Sequence, residues 1–175
     1  MSNPVAIHFR DIDVKAALAA PGRLALILPP DGRLDAAARR IDRASRGAVA
    51  RAVAGQGWSK LKPGEASDLA FPHGLAAEVL HLVKLPSRST LAEARKAGGT
   101  IGRALSDSGA TVLTGAHRRA ADIAFGLALR AYDFDAHKTG ERKPRGEVTM
   151  MVANPEAVAA AARPMAALAG GVVFT

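Results

Sequence analysis

Cysteine is absent from the 175-residue chain, which excludes disulfides, thiol catalysis and thiolate-bound metals. The composition is compatible with a reducing cytosol. Aromatic residues are scarce at 4%, with one tryptophan and one tyrosine. The core must therefore be assembled from Ala, Leu, Val and Ile, whose small side chains favour close packing of helices on a sheet. No run approaches the roughly 18 uncharged apolar residues that mark a membrane-spanning helix. The opening residues Met1-Ser2-Asn3-Pro4 lack the basic stretch and following apolar segment of a secretion signal. The expectation is a soluble cytoplasmic protein with no membrane partner.

What the chain does contain is ordinary for a globular domain, with 49% hydrophobic and 23% charged residues. Its length suffices for one domain with a substantial core and is short for two. The charge balance is less ordinary: net +8, with a pI near 10.6. Such an excess accompanies binding to nucleic acid or an anionic surface, and it also arises from a composition biased toward Ala and Arg.

Val5, Ile7 and Phe9 alternate with Ala6, His8 and Arg10, a period of two that predicts a half-buried strand. After the turn signal Pro21-Gly22, the continuous run Leu24-Ala25-Leu26-Ile27-Leu28 has the pattern of a buried strand, closed by Pro29-Pro30-Asp31-Gly32. Leu34 to Val53 is predicted helical, in two pieces broken near Gly47, with Ala37, Ile41, Ala44 and Ala48 at helical spacing. A polar loop is expected from Gly55 to Gly64. Strands at Asp68–Phe71 and Glu78–Lys84 flank Pro72-His73-Gly74 and predict a hairpin. Thr90-Leu91-Ala92-Glu93 fits a capping box opening a helix that runs to about Ser106. Thr111–Thr114 is a short strand, and Ala116 to about Phe134 a long helix with Ala120, Ile123, Leu127, Ala131 and Phe134 on its apolar stripe. Lys138–Arg145 is a charged loop. Glu147–Val152 is a strand with Val148, Met150 and Val152 on one face. Asn154-Pro155 then caps and opens a last helix that Pro164 should kink or end. This alternation predicts an α/β three-layer sandwich, a mixed and largely parallel sheet flanked by helices.

None of the five histidines, His8, His73, His81, His117 and His137, makes an HExxH pair or another metal-ligand spacing. His8 and His81 are expected on sheet faces and His73 in a turn. Asp133 and Asp135 lie close to His137 and could hold a metal, although carboxylates at a helix C-terminus also simply cap and solvate the next loop. No GxSxG nucleophile elbow is present. Gly98-Gly99-Thr100-Ile101-Gly102 is glycine-dense like a phosphate loop but lies inside a predicted helix and before a strand, so close helix packing at Gly98 and Gly102 is the better reading. The densest basic feature is Arg39, Arg40, Arg43, Arg46 and Arg51, joined by Arg118, Arg119 and the loop cations Lys138, Arg142, Lys143 and Arg145. This is the charge that phosphate contacts need, yet no aromatics interleave with it to stack bases, and Trp58 stands alone.

Several segments together resemble the leucyl aminopeptidase (cytosol aminopeptidase) family. Residues 121–138, ADIAFGLALRAYDFDAHK, are similar to that family's helix ending in G-x-x-L-x-x-Y-x-F-D-x-Y-K, with His137 where the family often has Tyr. Lys60-Leu61-Lys62-Pro63-Gly64-Glu65 resembles its GKxGE loop. The capping-box helix and the strands at Thr111–Thr114 and Glu147–Val152 follow in the family's order, so the resemblance spans essentially the whole chain. One departure is Lys84-Leu85-Pro86, where the family commonly has a GLG turn. Proline fixes φ where glycine does not, and a different turn is expected.

The resemblance implies a macro-domain-like fold and a single N-terminal domain over residues 1–175. The parent enzyme would be a hexamer with two divalent metals, zinc or manganese, releasing N-terminal amino acids from peptides. In the family the catalytic domain opens with an RDLVN-x-P segment after a helix like the last one here. The metal ligands and the catalytic Lys and Arg lie beyond it, and no position of this chain matches them. The expected role is therefore non-catalytic, in assembly or regulation, with no cofactor of its own. Its expected partners are the catalytic domain and further copies of the chain. Two alternatives follow from other features: a DNA-binding module using the arginine face, and an ADP-ribose-type site by analogy with the macro fold, for which no glycine-rich diphosphate loop is evident. The apolar ending Gly170-Gly171-Val172-Val173-Phe174-Thr175 is expected to lead into the catalytic domain.

Overall fold

Period-two segments become strands and the residues between them become covering helices in the computed structural model, which describes residues 5–136, 145–166, 168 and 173–175. The strands are β1 (Ala6–Arg10), β2 (Arg23–Leu28), β3 (Ala66–Ala70), β4 (Val79–Lys84), β5 (Ala110–Gly115), β6 (Val148–Val152) and β7 (Val173–Phe174). The helices are α1 (Val14–Ala19), α2 (Ala36–Ala44), α3 (Ala48–Ala54), α4 (Gln56–Lys60), α5 (Leu91–Arg103), α6 (Ala120–Ala136) and α7 (Pro155–Ala166). One sheet runs in the order β3-β4-β2-β5-β6-β1-β7. All neighbours are parallel except the hairpin β3–β4.

Both faces of this sheet are buried. Leu24, Leu26 and Leu28 of β2 and Leu80 and Leu82 of β4 pack with Val14, Ile41, Val49 and Trp58 from α1 to α4. Ala25, Val83, Val112, Val148, Met150 and Val152 pack on the other side with α5, α6 and Ala162 of α7. The continuous apolar runs in β2 and β4 follow from this, because a parallel strand covered on both faces has no polar side. The α/β three-layer sandwich expected from the alternation is the observed architecture.

The capping box forms as read: Thr90 Oγ1 accepts from the Glu93 amide and Glu93 Oε2 from the Thr90 amide. The α2–α3 break falls at Gly47, which is left-handed at φ 76°, next to Arg46 at φ 54°. Asn154 Oδ1 caps α7 through the Ala157 amide.

Four details differ from expectation, and a fifth adds to it. Helix α1 was not anticipated, being only six residues long with two inward side chains, Val14 and Ala17, too few for a period to show. The polar loop after Gly55 contains α4, held by buried Trp58, whose indole N–H donates to Pro30 O at 3.1 Å. Helix α6 starts at Ala120, because the chain first turns after Gly115, with the His117 amide bonded to Thr114 O. Helix α7 passes Pro164 and ends two residues later, so the missing N–H falls in its last turn. The apolar ending forms strand β7 on the edge of the sheet: the Thr175 amide donates to Ile7 O, the Phe9 amide donates to Thr175 O, and Phe174 stacks on Phe9.

The tightest packing is between α5 and α6. A Cβ placed on Gly98 would lie 1.9 Å from Ile123 O, one on Gly126 2.1 Å from Arg95 O, and one on Gly102 2.6 Å from Leu127 O. The two backbones meet directly through three glycines, which confirms packing as the role of Gly98 and Gly102. Gly99 differs: its Cβ would find nothing nearer than 3.9 Å. The two neighbours should therefore respond to alanine with opposite signs. Gly99→Ala should stabilise by about 0.5–1 kcal/mol through helix propensity. Gly98→Ala should destabilise by about 1–3 kcal/mol, since overpacking outweighs the same propensity gain. Urea unfolding of both variants checks this, and equal effects would remove the interlock.

Candidate functional site

The five arginines singled out in the sequence stay on the surface. Arg39, Arg40 and Arg43 sit on α2, Arg46 in the left-handed link and Arg51 on α3, all exposed. Arg51 Nη1 donates to Arg46 O at 2.6 Å and so braces its own turn. Trp58 is 3% exposed and unavailable to stack a base. Arg119 is also engaged internally, donating to Ser89 O at 2.9 Å and lying 3.5 Å from Asp122. Arg145 donates to Gly102 O in the last turn of α5. Lys138, Arg142, Lys143 and His137 lie outside the described residues, as do the side chains of Asp133 and Asp135.

His8 and His81 lie on strands and His73 in the β3–β4 connection, as read from the sequence. Among the described residues no group of three or more His, Asp or Glu side chains is placed to hold a metal ion.

The departure at Lys84-Leu85-Pro86 has a physical account. Lys84 is buried, and its ammonium donates to Trp58 O at 3.0 Å and Leu61 O at 2.8 Å, beside the Trp58 ring. A cation there meets the carbonyl end of α4, where the helix dipole favours it. The Leu85 amide continues the pairing to Leu28 O, and Pro86 O accepts from His117 Nε2 at 3.0 Å.

His117 belongs to a crevice at the carboxyl ends of β2, β4 and β5, with a cavity of about 550 Å³. Its floor and walls include Ile27, Leu28, Leu85 and Thr114, and its rim carries Arg33, Ser87, Arg88 and Arg118. The chain leaves β2 toward the face covered by α2, and leaves β4 and β5 toward the face covered by α5 and α6. Adjacent strands whose connections depart to opposite faces leave a gap between the loops, the usual ligand position in open parallel sheets. The sequence names His117 and Arg118 but does not bring them together with Arg33, Ser87 or Arg88, because period two reveals a strand but not its neighbours. Each cation does stand within five positions of a strand's carboxyl end, a signal usable once the strands are known to be parallel.

A second cluster joins Asp68 of β3, His81 of β4 and Arg23 of β2. Asp68 and His81 are directly paired across the hairpin. Asp68 Oδ1 hydrogen-bonds His81 Nδ1, and Arg23 Nη1 donates to Asp68 Oδ2 at 2.9 Å. Arg23 Nη1 also lies 3.2 Å from His81 Nδ1. Arginine can only donate, and Nδ1 gives its hydrogen to Asp68, so Arg23 and His81 share one carboxylate acceptor and do not bond each other. The His81 hydrogen bond, helped by attraction to His81 and Arg23 and opposed by burial, lowers the Asp68 pKa from 3.8 to about 2. The cluster pins the edge strand. The folded pKa lies below the unfolded one, so its contribution is complete above about pH 4 and lost as pH falls to about 2. The Asp68 side chain is 50% exposed, and solvent screening holds the contribution to about 1 kcal/mol or less. Asp68→Asn should remove that share of the acid-induced stability loss between pH 4 and 2, measured by urea unfolding across the range. An unchanged acid limb would show that the cluster carries no pH-linked stability.

Residues 27–141 match the family model described as "Cytosol aminopeptidase family, N-terminal domain". The chain is 53% identical over 175 residues to a protein named "Probable cytosol aminopeptidase" from Cereibacter sphaeroides, covering 100% of this chain and 36% of that protein. A protein of the same name from Dinoroseobacter shibae is 38% identical over the same extent, again covering 36% of its length. The chain thus spans about a third of the length of the curated relatives it matches. A solved structure of a tomato leucine aminopeptidase mutant superposes with a TM-score of 0.72 at 18% identity, covering 98% of this chain and 38% of that one. At that identity the likeness speaks for the fold. On the family match and the end-to-end relatives, this chain belongs to the cytosol aminopeptidase family and carries its N-terminal domain.

Proposed function

We propose that residues 1–175 act as a single non-catalytic N-terminal domain of a two-metal leucyl aminopeptidase, serving assembly and access to the active site. The observation that carries this reading is the coverage: the chain matches its relatives along its whole length but reaches only 36% of theirs. The domain matched is the family's N-terminal one. The implied enzyme is a cytoplasmic hexamer that releases N-terminal amino acids. Its zinc or manganese ions would be held outside this chain and would activate the attacking water and polarise the peptide carbonyl. The domain's partners would be the catalytic domain and further copies of the same protein.

The test compares this chain with a full-length protein of the same gene on a leucine chromogenic substrate with Mn²⁺. The full-length protein should turn over substrate only with metal, and the chain alone should show none. Metal-dependent turnover by the chain itself would overturn the non-catalytic assignment. The assembly role is read separately by sedimentation: a full-length protein should be hexameric, and deleting this domain should change that state. An unaltered hexamer with unaltered peptide turnover would remove the role proposed for it.

A further inference from the structure

We propose that the crevice at the carboxyl ends of β2, β4 and β5 binds a phosphate-bearing small molecule. Three guanidiniums line it, Arg33 after β2, Arg88 after β4 and Arg118 after β5. Each comes from a different connection, and among the described residues none has a side-chain hydrogen-bond or ion-pair partner. Holding three like charges around one cavity is unfavourable unless an anion or solvent screens them.

The one carboxylate in the crevice does not neutralise them. Asp35 is committed to the start of α2, where its Oδ1 accepts from the Ala38 amide at 2.8 Å, and the positive end of that helix offsets its charge. His117 adds no charge in the hydrogen-bonding pattern it adopts. Its Nε2–H donates to Pro86 O and its Nδ1 accepts from the Arg119 amide at 3.2 Å, which uses both ring nitrogens in the neutral form. Its part is positional: it ties the loop after β5 to the loop after β4 and holds Arg88 and Arg118 on one rim.

The floor supplies an independent observation. Thr114 is 6% exposed and lines the cavity, yet its Oγ1 has no hydrogen-bond partner among the described residues. A buried hydroxyl without a partner is costly, and an oxyanion would accept from it. A comparable gap lies at the carboxyl ends of β1 and β6, lined by Arg10, Asp11 and Glu156. There carboxylates outnumber cations, so the position in the fold alone does not create the basic site. Tetrahedral phosphate suits guanidiniums arriving from three directions, whereas a planar carboxylate is satisfied by one bidentate arginine. The cavity is larger than a bare phosphate needs and its inner wall is apolar through Ile27, Leu28 and Leu85, so the ligand carries an organic body.

The experiment titrates the chain with pyrophosphate by calorimetry and by amide chemical shifts, then with ADP to ask whether a nucleoside forms the body. Expected is saturable pyrophosphate binding with Kd at or below about 1 mM at low salt, with shifts centred on Ser87–Thr90 and Gly115–Arg119. Arg88→Gln and Arg118→Gln, both exposed and safe for folding, should each weaken it about tenfold. Thr114→Val should weaken it severalfold, while Arg39→Gln with Arg43→Gln should leave it unchanged. Tighter binding of ADP assigns a nucleotide, and equal or weaker binding assigns another phosphorylated metabolite. The proposal is overturned by no saturable binding up to about 10 mM. Binding lost equally through Arg39 and Arg43 would also overturn it, since that marks diffuse attraction to a basic surface.

Discussion

The direct backbone contact between α5 and α6 is the constraint on which the rest of the molecule depends. Gly98, Gly102 and Gly126 let the two helices approach until their backbones are in contact. Both helices lie on the same face of the sheet, and each follows a strand flanking β2. Their mutual position therefore sets where the loops before them stand. The loop before α5 carries Arg88 and Ser89, and the loop before α6 carries His117, Arg118 and Arg119. The bonds from His117 to Pro86 and from Arg119 to Ser89 span only these two loops. A methyl group at any of these three positions therefore acts on the placement of both loops.

Among the described residues two populations of cations stand apart. Lys84 caps α4, Arg23 flanks Asp68, Arg119 joins two loops and Arg95 lies 4.6 Å from the centre of the Phe125 ring. These cations serve the fold and add little to any field beyond the surface, because carbonyls, a carboxylate or an aromatic face answer each one. By contrast, Arg39, Arg40 and Arg43 on α2 and Arg33, Arg88 and Arg118 around the crevice are exposed. A net charge alone cannot separate these populations, which is why the same +8 was open both to binding and to bias of composition.

The layered fold was legible because burial on both faces forces its own signature. Leu24–Leu28 could only be a strand deep in a sheet, and Ala120, Ile123, Leu127 and Ala131 could only line a covered helix. The glycine cluster at Gly98–Gly102 was legible from context, since a phosphate loop follows a strand and this one lay within a helix. Short elements were not legible: α1 and α4 offer one or two buried residues each, below what a period can reveal. Relations across strands were also hidden. Asp68 and His81 lie thirteen positions apart in a hairpin that was foreseen, but a register slip of one residue would have turned them to opposite faces. The crevice needed the strand order itself, which no pattern within one segment encodes.

The chain's apolar end shows how one local pattern fits more than one structural setting. Val173-Phe174 lacks the polar character of a solvated tail, which is the ground for expecting the run to lead into the catalytic domain. The local requirement is already met within the sheet: β7 pairs with β1, and Phe174 covers Phe9. That pairing makes β1 an interior strand with β6 on its other side, which accounts for Ile7 being fully buried although it belongs to the first strand of the chain. An apolar terminal run thus carries no information about what adjoins it until the edge it could pair with has been identified.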